Sequence, residues 1–254
     1  MRADQLLVER GLAVTRSQAQ RLIAAGMRWQ DARGWHDVAK NGDEVPQTAE
    51  LELADDAEAR YVSRGGIKLA GALQAAGIAP PGLRCLDVGQ STGGFTDCLL
   101  QHGAAQVVGV DVGHGQLHPR LRGDPRVSCI EKCNARELDA ARLRAAGVEP
   151  GFDLVVGDLS FISQALVLPA IAPLLKPGGR LLMLVKPQFE LQPGQLGKGG
   201  IVRDASLYAS VEQRIRAACT ECGLAVQHWF DSPIRGGDGN REFFMSASLP
   251  SSPR

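Results

Sequence analysis

The stretch Leu86-Asp87-Val88-Gly89-Gln90-Ser91-Thr92-Gly93-Gly94-Phe95 predicts the fold of this chain. An apolar run, Leu83 to Val88, leads into a glycine-rich turn, and a helical pattern, Phe95 to Leu100, follows the turn directly. A strand, a tight glycine turn and a helix form the first unit of an open α/β sheet, which binds ligands at the carboxyl ends of its strands. We therefore expect a doubly wound, Rossmann-like α/β domain with a ligand at this turn.

The residues around the turn indicate which ligand it binds. The glycine spacing differs from the dinucleotide fingerprint G-x-G-x-x-G, because three other residues separate Gly89 from Gly93. Asp87 would repel a pyrophosphate, but it suits a ligand that carries an ammonium or sulfonium group. A second acid, Asp111, ends the next apolar run, where such folds place a carboxylate that binds a ribose diol. The two acids predict S-adenosylmethionine; a nucleotide in an ordinary Rossmann-like turn is the alternative.

The chain beyond the turn predicts a complete doubly wound sheet. Apolar runs alternate with helical patterns, as expected when helices join parallel strands. The predicted strands after the first are Val107–Val110, Val127–Ile130, Leu154–Val156, Leu181–Val185 and a last strand that begins after Glu242. Asp158 and Lys186 then fall at the carboxyl ends of the fourth and fifth strands, on the same edge as Asp87.

The composition limits the class of protein. Of the 254 residues, 44% are apolar and 22% are charged, which is typical of a globular protein. We expect no membrane segment and a cytoplasmic location, because the sequence shows neither a spanning apolar run nor a signal-peptide pattern. The six cysteines and five histidines lack the spacing of a zinc site, so we expect no metal. The formal net charge of zero is unusual for a nucleic-acid binder, although basic residues gather locally.

Two helical patterns open the chain. Leu6 and Leu7 lie on one face of a predicted helix that ends near Gly11. The capping box Thr15-Arg16-Ser17-Gln18 predicts the start of a second helix, which runs to Gly26. A short amphipathic helix cannot form a core alone, so these helices require a further layer of structure.

Extended segments supply that layer. They are predicted at Met27–Gln30 and Val45–Leu53, with turn signals at Gly34 and at Asn41-Gly42 between them. The polar stretch Ala54 to Arg60 then separates this small α+β unit from the α/β domain. We therefore predict two domains, residues 1–59 and residues 60–254.

Four titratable residues lie beside predicted strand ends or sheet-edge loops: Lys68, Asp158, Lys186 and Glu242. A sulfonium methyl group is electrophilic, so an enzyme mainly has to align an in-line displacement and activate the nucleophile. A ribose 2′-hydroxyl must lose its proton, and a lysine accepts it when burial or a neighbouring cation lowers the lysine pKa. Lys68 near Lys186 would be that cation, with the two acids orienting the pair. The sequence has neither the Asn/Asp-Pro-Pro-aromatic turn of amine methylation nor a Pro-Cys pair, so O-methylation fits best.

Two resemblances follow from these motifs. Residues Arg2 to Leu12 and Ser17 to Gly26 resemble the S4 RNA-binding domain. Nearly the whole chain resembles the TlyA-type (hemolysin A) family of ribosomal RNA 2′-O-methyltransferases, in which an S4 domain precedes an FtsJ-like domain. The motifs that carry this second resemblance are Ser63 to Leu69, Asp87 to Gly89, Phe95 to Leu100, Asp111 to Leu117, Asp158 to Ser163, Val185 to Glu190 and Gly239 to Phe243.

The second resemblance implies a function and a set of site residues. It implies a class I methyltransferase sheet, S-adenosylmethionine as cofactor, ribosomal RNA or a ribosomal subunit as partner, and a cytidine 2′-hydroxyl as acceptor. The implied catalytic residues are Lys68, Asp158, Lys186 and Glu242, with Lys186 activating the hydroxyl. The implied cofactor-binding residues are Asp87, Gly89, Ser91, Thr92, Gly93, Gly94, Phe95, Asp111, Asn134 and Asp158. The implied RNA-binding residues are Arg2, Arg10, Arg16, Arg21 and Arg64.

The chain also departs from the family at particular positions. Gln90 stands where the family more often has a small residue, so we expect it to narrow the cofactor pocket or to add a polar contact. The segment Trp29 to Gly34 replaces the Val-Asn-Gly that S4 domains usually show. A membrane-active hemolysin, suggested by the family label, and an RNA-binding scaffold without catalysis are the alternative functions.

Overall fold

A computed structural model describes residues 1–13, 15–54 and 60–251 of the chain. The chain divides into two compact units, Met1–Ile67 and Lys68–Arg254. The predicted division after residue 59 stays a prediction, because residues 55–59 of the polar stretch lie outside the described residues. None of the described helices is both long and apolar enough to cross a membrane.

Two helices open the N-terminal unit, α1 (Ala3–Glu9) and α2 (Arg16–Gly26). Gly11 follows α1 with a φ of 71°, the left-handed conformation that ends helices and that glycine adopts without steric cost. The Thr15 hydroxyl accepts a hydrogen bond of 3.1 Å from the backbone N–H of Gln18, as the capping box predicts. The predicted end of α1 and the predicted start of α2 are therefore confirmed.

A three-stranded antiparallel sheet with the order β2-β1-β3 completes this unit. Its strands are β1 (Met27–Asp31), β2 (Gly34–Asp37) and β3 (Glu50–Leu53). The sequence predicted only a turn where β2 pairs with β1. The prediction of one extended segment from Val45 was also wrong in part. Pro46 has no N–H, and its carbonyl accepts a 3.0 Å hydrogen bond from the Ala49 N–H that closes a turn before β3.

The second unit is built on one seven-stranded sheet. In chain order its strands are β4 (Arg84–Val88), β5 (Gln106–Val110), β6 (Val127–Ile130), β7 (Phe152–Asp158), β8 (Leu175–Val185), β9 (Ala225–Asp231) and β10 (Phe243–Ser248). The described helices after β3 are α3 (Gly65–Ala75), α4 (Gly94–Gln101), α5 (Pro119–Arg122), α6 (Ala140–Ala145), α7 (Leu168–Ile171), α8 (Pro187–Glu190) and α9 (Leu207–Glu221).

The order of the strands locates a binding edge. The order is β6-β5-β4-β7-β8-β10-β9, and all pairs are parallel except the two that β10 makes. The chain winds outward from β4 to β6 and then starts again with β7 on the other side of β4, so the direction reverses between β4 and β7. Ligands bind at such a switch point, outside the carboxyl ends of the strands. The predicted doubly wound α/β fold is confirmed.

The inner strands and one edge strand, β6, were predicted, and the other edge strand, β9, was not. The predicted cores of β4 to β8 are all present, although β7 and β8 extend further than their apolar runs. Leu154 and Val155, which point to opposite faces of β7, are both fully buried, which is typical of a strand covered on both faces. The sequence analysis missed β9, because its side chains are only partly buried at the edge of the sheet and form no apolar run.

Candidate active site

Four loop positions meet at the carboxyl edge of the sheet. Gly89, Asp158 and Lys186 follow or end the parallel strands β4, β7 and β8. Strand β10 runs antiparallel to β8, so its first residues lie at the edge where the parallel strands end. Phe243 pairs with Val185. Glu242, which precedes Phe243, therefore lies close to Lys186, which follows Val185. The strands therefore bring three of the predicted catalytic residues, Asp158, Lys186 and Glu242, to one edge.

The four predicted catalytic residues form two contacting pairs. Lys68 Nζ, on α3, donates a hydrogen bond of 2.5 Å to Glu242 Oε2, and both side chains are buried. Lys186 Nζ lies 2.5 Å from Asp158 Oδ1 in an ion pair, and the lysine side chain is 12% exposed. The second pair is the one that reaches the surface. A catalytic role for each residue stays a prediction.

The carboxylate of Glu242 is held in a confined space. Burial raises the pKa of Glu242, although the ammonium groups of Lys68 and Lys186 favour its charged form. A Cβ at position 236 would lie 2.7 Å from Glu242 Oε1, so Gly236 leaves the space that this carboxylate occupies. Nearby, the Asn240 side chain accepts a 3.0 Å hydrogen bond from the backbone N–H of Val202. The loop that carries Glu242 is therefore anchored before β10 begins.

Two polar residues beside the pairs had no role in the sequence prediction. Lys186 Nζ donates a hydrogen bond of 2.9 Å to Ser160 Oγ. Glu190 is 3% exposed and accepts hydrogen bonds from the Ser163 hydroxyl at 2.6 Å and the Gln164 backbone N–H at 2.7 Å. Because Glu190 ends α8, which directly follows Lys186, it fastens the loop after β7 to the loop after β8. Both residues lie within family motifs, but a polar residue in a loop gives no signal of the partner it contacts.

The glycine turn after β4 requires glycine at two positions. Gly89 has a φ of 84°, and a Cβ there would lie 2.6 Å from the backbone oxygen of Asp158. Gly93 has a φ of 95°, and a Cβ there would lie 2.4 Å from Leu121 Cδ1. A side chain at either position would combine a strained backbone with a clash. The turn therefore lies directly against the end of β7, at the switch point.

Asp111 links the loops after β4, β5 and β6. Its two carboxylate oxygens accept hydrogen bonds of 2.7 Å from the backbone N–H groups of Ser91 and Gly113. The Asp111 carbonyl accepts a further bond of 2.9 Å from the N–H of Cys133, which brings the neighbouring Asn134 to the same edge. Each carboxylate oxygen can accept a second hydrogen bond, so Asp111 keeps capacity for a ribose diol.

Asp87 lies beneath the turn. Its side chain is fully buried, and Oδ2 accepts a hydrogen bond of 2.6 Å from the Thr96 hydroxyl on α4. Oδ1 has no hydrogen-bond partner among the described residues. Burial, together with the charges of Asp158 and Asp111, raises the pKa of Asp87 to about 7 against the opposing effect of Thr96. The carboxylate therefore joins β4 to α4 from below the glycines.

Gln90 faces the interior of the protein. Its side chain is 3% exposed, and Nε2 donates a hydrogen bond of 2.9 Å to Thr96 Oγ1. The amide lies over β5, where a Cβ at position 109 would be only 1.9 Å from Gln90 Cδ. The expectation that Gln90 narrows the cofactor pocket was therefore wrong, because Gly109 offers the side chain a place inside the sheet layer.

The buried Asp87 carboxyl predicts that stability depends on pH. Its pKa rises from 3.8 in the unfolded chain to about 7 in the folded protein, so the folded state binds the proton more tightly. The resulting stabilisation is complete below pH 4 and is lost as the pH rises through 7, with about 4 kcal/mol as its upper size. We expect Asp87→Asn to have a greater free energy of unfolding than the cofactor-free wild type at pH 8, but not at pH 4.

Urea denaturation of both proteins from pH 4 to pH 8 measures this difference. Subtracting one series from the other removes the titration of all other groups, which the two proteins share. A difference that does not change with pH would show that Asp87 titrates normally in the folded protein.

The remaining predicted cofactor residues differ in exposure. Phe95 is 3% exposed, and its ring stacks on Phe244 at a centroid distance of 6.2 Å, so its side chain belongs to the core. Thr92 is exposed at the turn, and Gly94 is buried as the first residue of α4. The Asn134 side chain accepts a 3.1 Å hydrogen bond from the backbone N–H two residues later. Of these residues, Thr92 and Asn134 offer side chains at the edge.

Residues with a strained backbone conformation lie at the same edge of the sheet. The described non-glycine residues with a positive φ are Ser91 at 50°, Lys132 at 55° and Phe161 at 63°. They lie in the loops after β4, β6 and β7. Such conformations cost about 1–3 kcal/mol and persist where the surroundings enforce them, which is common at ligand sites. Phe161 is also 90% exposed and lies 5.0 Å from the Phe189 ring, so an aromatic surface faces solvent close to Asp158.

Three of the predicted RNA-binding arginines stabilise the N-terminal unit. Arg2 Nε and Arg16 Nη2 lie 3.0 and 2.9 Å from the fully buried carboxylate of Asp4. Their hydrogen bonds, with that of Arg2 the stronger, hold the pKa of Asp4 well below its usual range. Arg10 Nη1 donates a 2.7 Å hydrogen bond to a backbone carbonyl just before β3. Arg21 is exposed and Arg64 is half-buried. Contact with RNA stays a prediction for all five arginines.

Comparison with protein-family models assigns both parts of the chain. The model of the S4 domain matches residues 1–26. The model of the FtsJ-like methyltransferase matches residues 61–249, which include every predicted catalytic and cofactor-binding residue. The chain belongs to the FtsJ-like methyltransferase family. It is therefore an enzyme that transfers methyl groups.

Named relatives of this FtsJ-like methyltransferase match it over nearly its whole length. 16S/23S rRNA (cytidine-2′-O)-methyltransferase TlyA of Mycobacterium tuberculosis is 45% identical over 96% of this chain and 88% of the relative. Hemolysin A of Brachyspira hyodysenteriae is 37% identical over 96% of this chain and 98% of the relative. A solved structure described as "Putative hemolysin from Streptococcus thermophilus" has a TM-score of 0.75 and 39% identity, and covers 100% of this chain and 90% of that chain. The resemblance to the TlyA-type family is confirmed.

S-adenosylmethionine is the cofactor of this FtsJ-like methyltransferase, and the residues at the switch point fit it. Gly89 and Gly93 let the backbone of the turn approach the ligand closely, and the Gln90 side chain between them points into the protein. Asp111 can accept hydrogen bonds from a ribose diol. When it is ionised, buried Asp87, whose Oδ1 has no partner among the described residues, is a source of negative potential beneath the turn, which favours a ligand with positive charge. These three features together distinguish the site from a pyrophosphate-binding turn.

Proposed function

We propose that this enzyme transfers a methyl group from S-adenosylmethionine to the 2′-hydroxyl of a cytidine in ribosomal RNA. The observation that carries the proposal is the position of Lys186, whose Nζ lies 2.5 Å from Asp158 at the switch point beside the cofactor turn. The name of the Mycobacterium tuberculosis relative specifies a cytidine 2′-hydroxyl of 16S and 23S rRNA as its acceptor. The S4 match at residues 1–26 supports RNA as the partner.

The proposed mechanism uses Lys186 as the base. Bound S-adenosylmethionine supplies an electrophilic methyl group, whose bond to sulfur breaks with the electron pair remaining on sulfur. Lys186 Nζ accepts the proton of the ribose hydroxyl as the hydroxyl oxygen bonds to the methyl carbon. Asp158 balances the charge that Nζ gains, and Lys68 neutralises Glu242 on the other side of the site. The proton on Nζ then passes to water.

The surface around this edge supports an RNA substrate. The exposed ring of Phe161 offers a face on which an unpaired base stacks, which is how proteins commonly hold single-stranded nucleotides. In the N-terminal unit, Arg2 and Arg16 remain 46% and 56% exposed while they contact Asp4. The proposal includes the five predicted arginines as residues that contact RNA phosphates. It also includes a cytoplasmic location, because ribosomal RNA is found there.

Identification of the methylated nucleoside tests this function. The purified protein is incubated with methyl-labelled S-adenosylmethionine and with ribosomal subunits from cells that lack its gene, and the RNA is digested to nucleosides. We expect the label in 2′-O-methylcytidine, because a lysine base activates a hydroxyl. Subunits from cells that retain the gene are the control, and they should take up little label because their sites are already methylated.

The other outcomes are equally specific. Label in a base-methylated nucleoside would contradict the acceptor, and label in another 2′-O-methylated nucleoside would contradict cytidine alone. Absence of any transfer would favour the RNA-binding scaffold. The hemolysin alternative predicts release of dye from protein-free liposomes, which we do not expect.

A further inference from the structure

The loop after β7 supplies two oxygen atoms to one nitrogen atom. Asp158 ends the strand, and its Oδ1 lies 2.5 Å from Lys186 Nζ. Two residues later, Ser160 Oγ accepts a hydrogen bond of 2.9 Å from the same Nζ. The two oxygens approach Nζ from one short loop, while Lys186 itself comes from the end of the neighbouring strand β8.

The protonation state of the amine decides what these contacts do. A charged lysine has three N–H donors and no acceptor, so it cannot take a proton. The neutral amine has two N–H groups and one lone pair, arranged tetrahedrally around nitrogen with Cε. Ser160 fixes one N–H of the amine by a hydrogen bond, and the Asp158 carboxylate, which contacts Nζ as an ion pair without hydrogen-bond geometry, attracts a second N–H, so the lone pair occupies the direction that is left. Without Ser160, the amine can rotate about its bond to Cε, and the lone pair has no defined direction.

We propose that Ser160 is a positioning residue that orients the lone pair of Lys186 toward the substrate hydroxyl. This inference rests on the proposed function, because it assumes that Lys186 accepts the hydroxyl proton. That proton leaves oxygen and forms the third N–H bond of Nζ, which the lone pair supplies. Ser160 gives up no atom in this step and keeps its hydrogen bond throughout.

The surroundings hold Ser160 in place without burying it. Ser160 is exposed, and the next residue, Phe161, has the positive φ of 63°. A few residues later, Ser163 and Gln164 are hydrogen-bonded to the buried carboxylate of Glu190. The far end of the loop is therefore anchored independently of the Ser160 hydroxyl. Removing that hydroxyl should leave the fold intact, because no buried group loses a partner.

Substitution of Ser160 tests the inference in steady-state methyl-transfer assays with ribosomal subunits from cells that lack the gene. For Ser160→Ala we expect kcat to fall about 10-fold, with the KM for RNA and the affinity for S-adenosylmethionine within about twofold of wild type. Ser160→Thr keeps the hydroxyl and should restore most of the rate. Ser210→Ala is the matched control, because Ser210 is an exposed serine on α9 whose hydroxyl bonds only a carbonyl of its own helix among the described residues.

A double variant shows whether Ser160 acts through Lys186. In the Lys186→Ala background, the further change Ser160→Ala should alter the residual rate by less than about twofold, because the amine it orients is gone. An equal 10-fold loss in both backgrounds, a changed KM with unchanged kcat, or no effect in Ser160→Ala while Lys186→Ala is impaired would each overturn the role of Ser160 alone. Full activity of Lys186→Ala would instead overturn the proposed mechanism, so the two failures are distinguishable.

Discussion

Lys186→Ala is expected to lower the rate of methyl transfer by about 10³-fold, within the range that general-base catalysis contributes. The loss arises because the other amine of the site, Lys68, is buried in its pair with Glu242 and does not take the place of Lys186. Asp158 would then lack its ion-pair partner, but its side chain is 24% exposed, so water can enter the space that the lysine leaves. Binding of S-adenosylmethionine, measured by calorimetry, should remain close to that of the wild type. The rate itself is measured as label transferred to ribosomal RNA in a single turnover.

Two further variants make the result specific. Lys186→Arg keeps a positive charge next to Asp158 but cannot accept a proton, so it should be as impaired as the alanine variant. Lys176→Ala is the matched control, since Lys176 also contacts an aspartate, Asp153, at 2.7 Å, but at the opposite end of β8. Wild-type activity in Lys186→Arg would show that charge, and not proton transfer, is what Lys186 contributes.

Gly89→Ala is expected to abolish measurable cofactor binding and to lower the free energy of unfolding by about 3 kcal/mol. An alanine at a φ of 84° is strained, and its Cβ would lie 2.6 Å from the backbone oxygen of Asp158. Backbone cannot rotate away as a flexible side chain can, so the turn and the end of β7 would have to separate. The cofactor would then lose the surface between them. Calorimetry with S-adenosylmethionine and urea denaturation measure the two effects.

Gly82→Ala separates the effect of backbone strain from the effect of the steric clash that Gly89→Ala makes with Asp158. Gly82 also has a positive φ, 75°, but a Cβ there would meet no atom within 4 Å. We expect this variant to lose only about 1 kcal/mol of stability and to bind the cofactor normally. Equal losses in both variants would mean that backbone strain alone, and not contact with β7, explains the requirement for glycine at position 89.

The sequence predicted the fold well where burial was complete. Strands β4, β5 and β7 and the second half of β8 are largely buried, and their apolar runs could be recognised without a structure. Once the sheet was known to be doubly wound, the topological rule alone placed Asp158 and Lys186 at one edge with the glycine turn. Strand β9 was not predicted because an edge strand needs no apolar run. Strand β2 was not predicted because Gly34 indicates a turn as readily as the start of a strand.

The direction of individual side chains was not predictable. Asp87 and Gln90 stand in the turn motif, and the motif alone does not determine whether a side chain points to the ligand or to the core. That choice depends on Thr96, which bonds both of them from α4, and on space above β5. Asp4 shows the same limit in the N-terminal unit, because an acid in the first turn of a helix is ordinarily exposed. The buried carboxylate is paired with Arg2, two residues earlier, and with Arg16, on the next helix.

The placement of Gln90 has a consequence for how this sequence can vary. A Cβ at position 109 would overlap the far end of the Gln90 side chain, so any larger residue at 109 requires the glutamine to leave its place over β5. A glutamine that leaves this place also gives up its hydrogen bond to Thr96. Positions 90 and 109 are therefore coupled, and the effect of a substitution at one of them depends on the residue at the other.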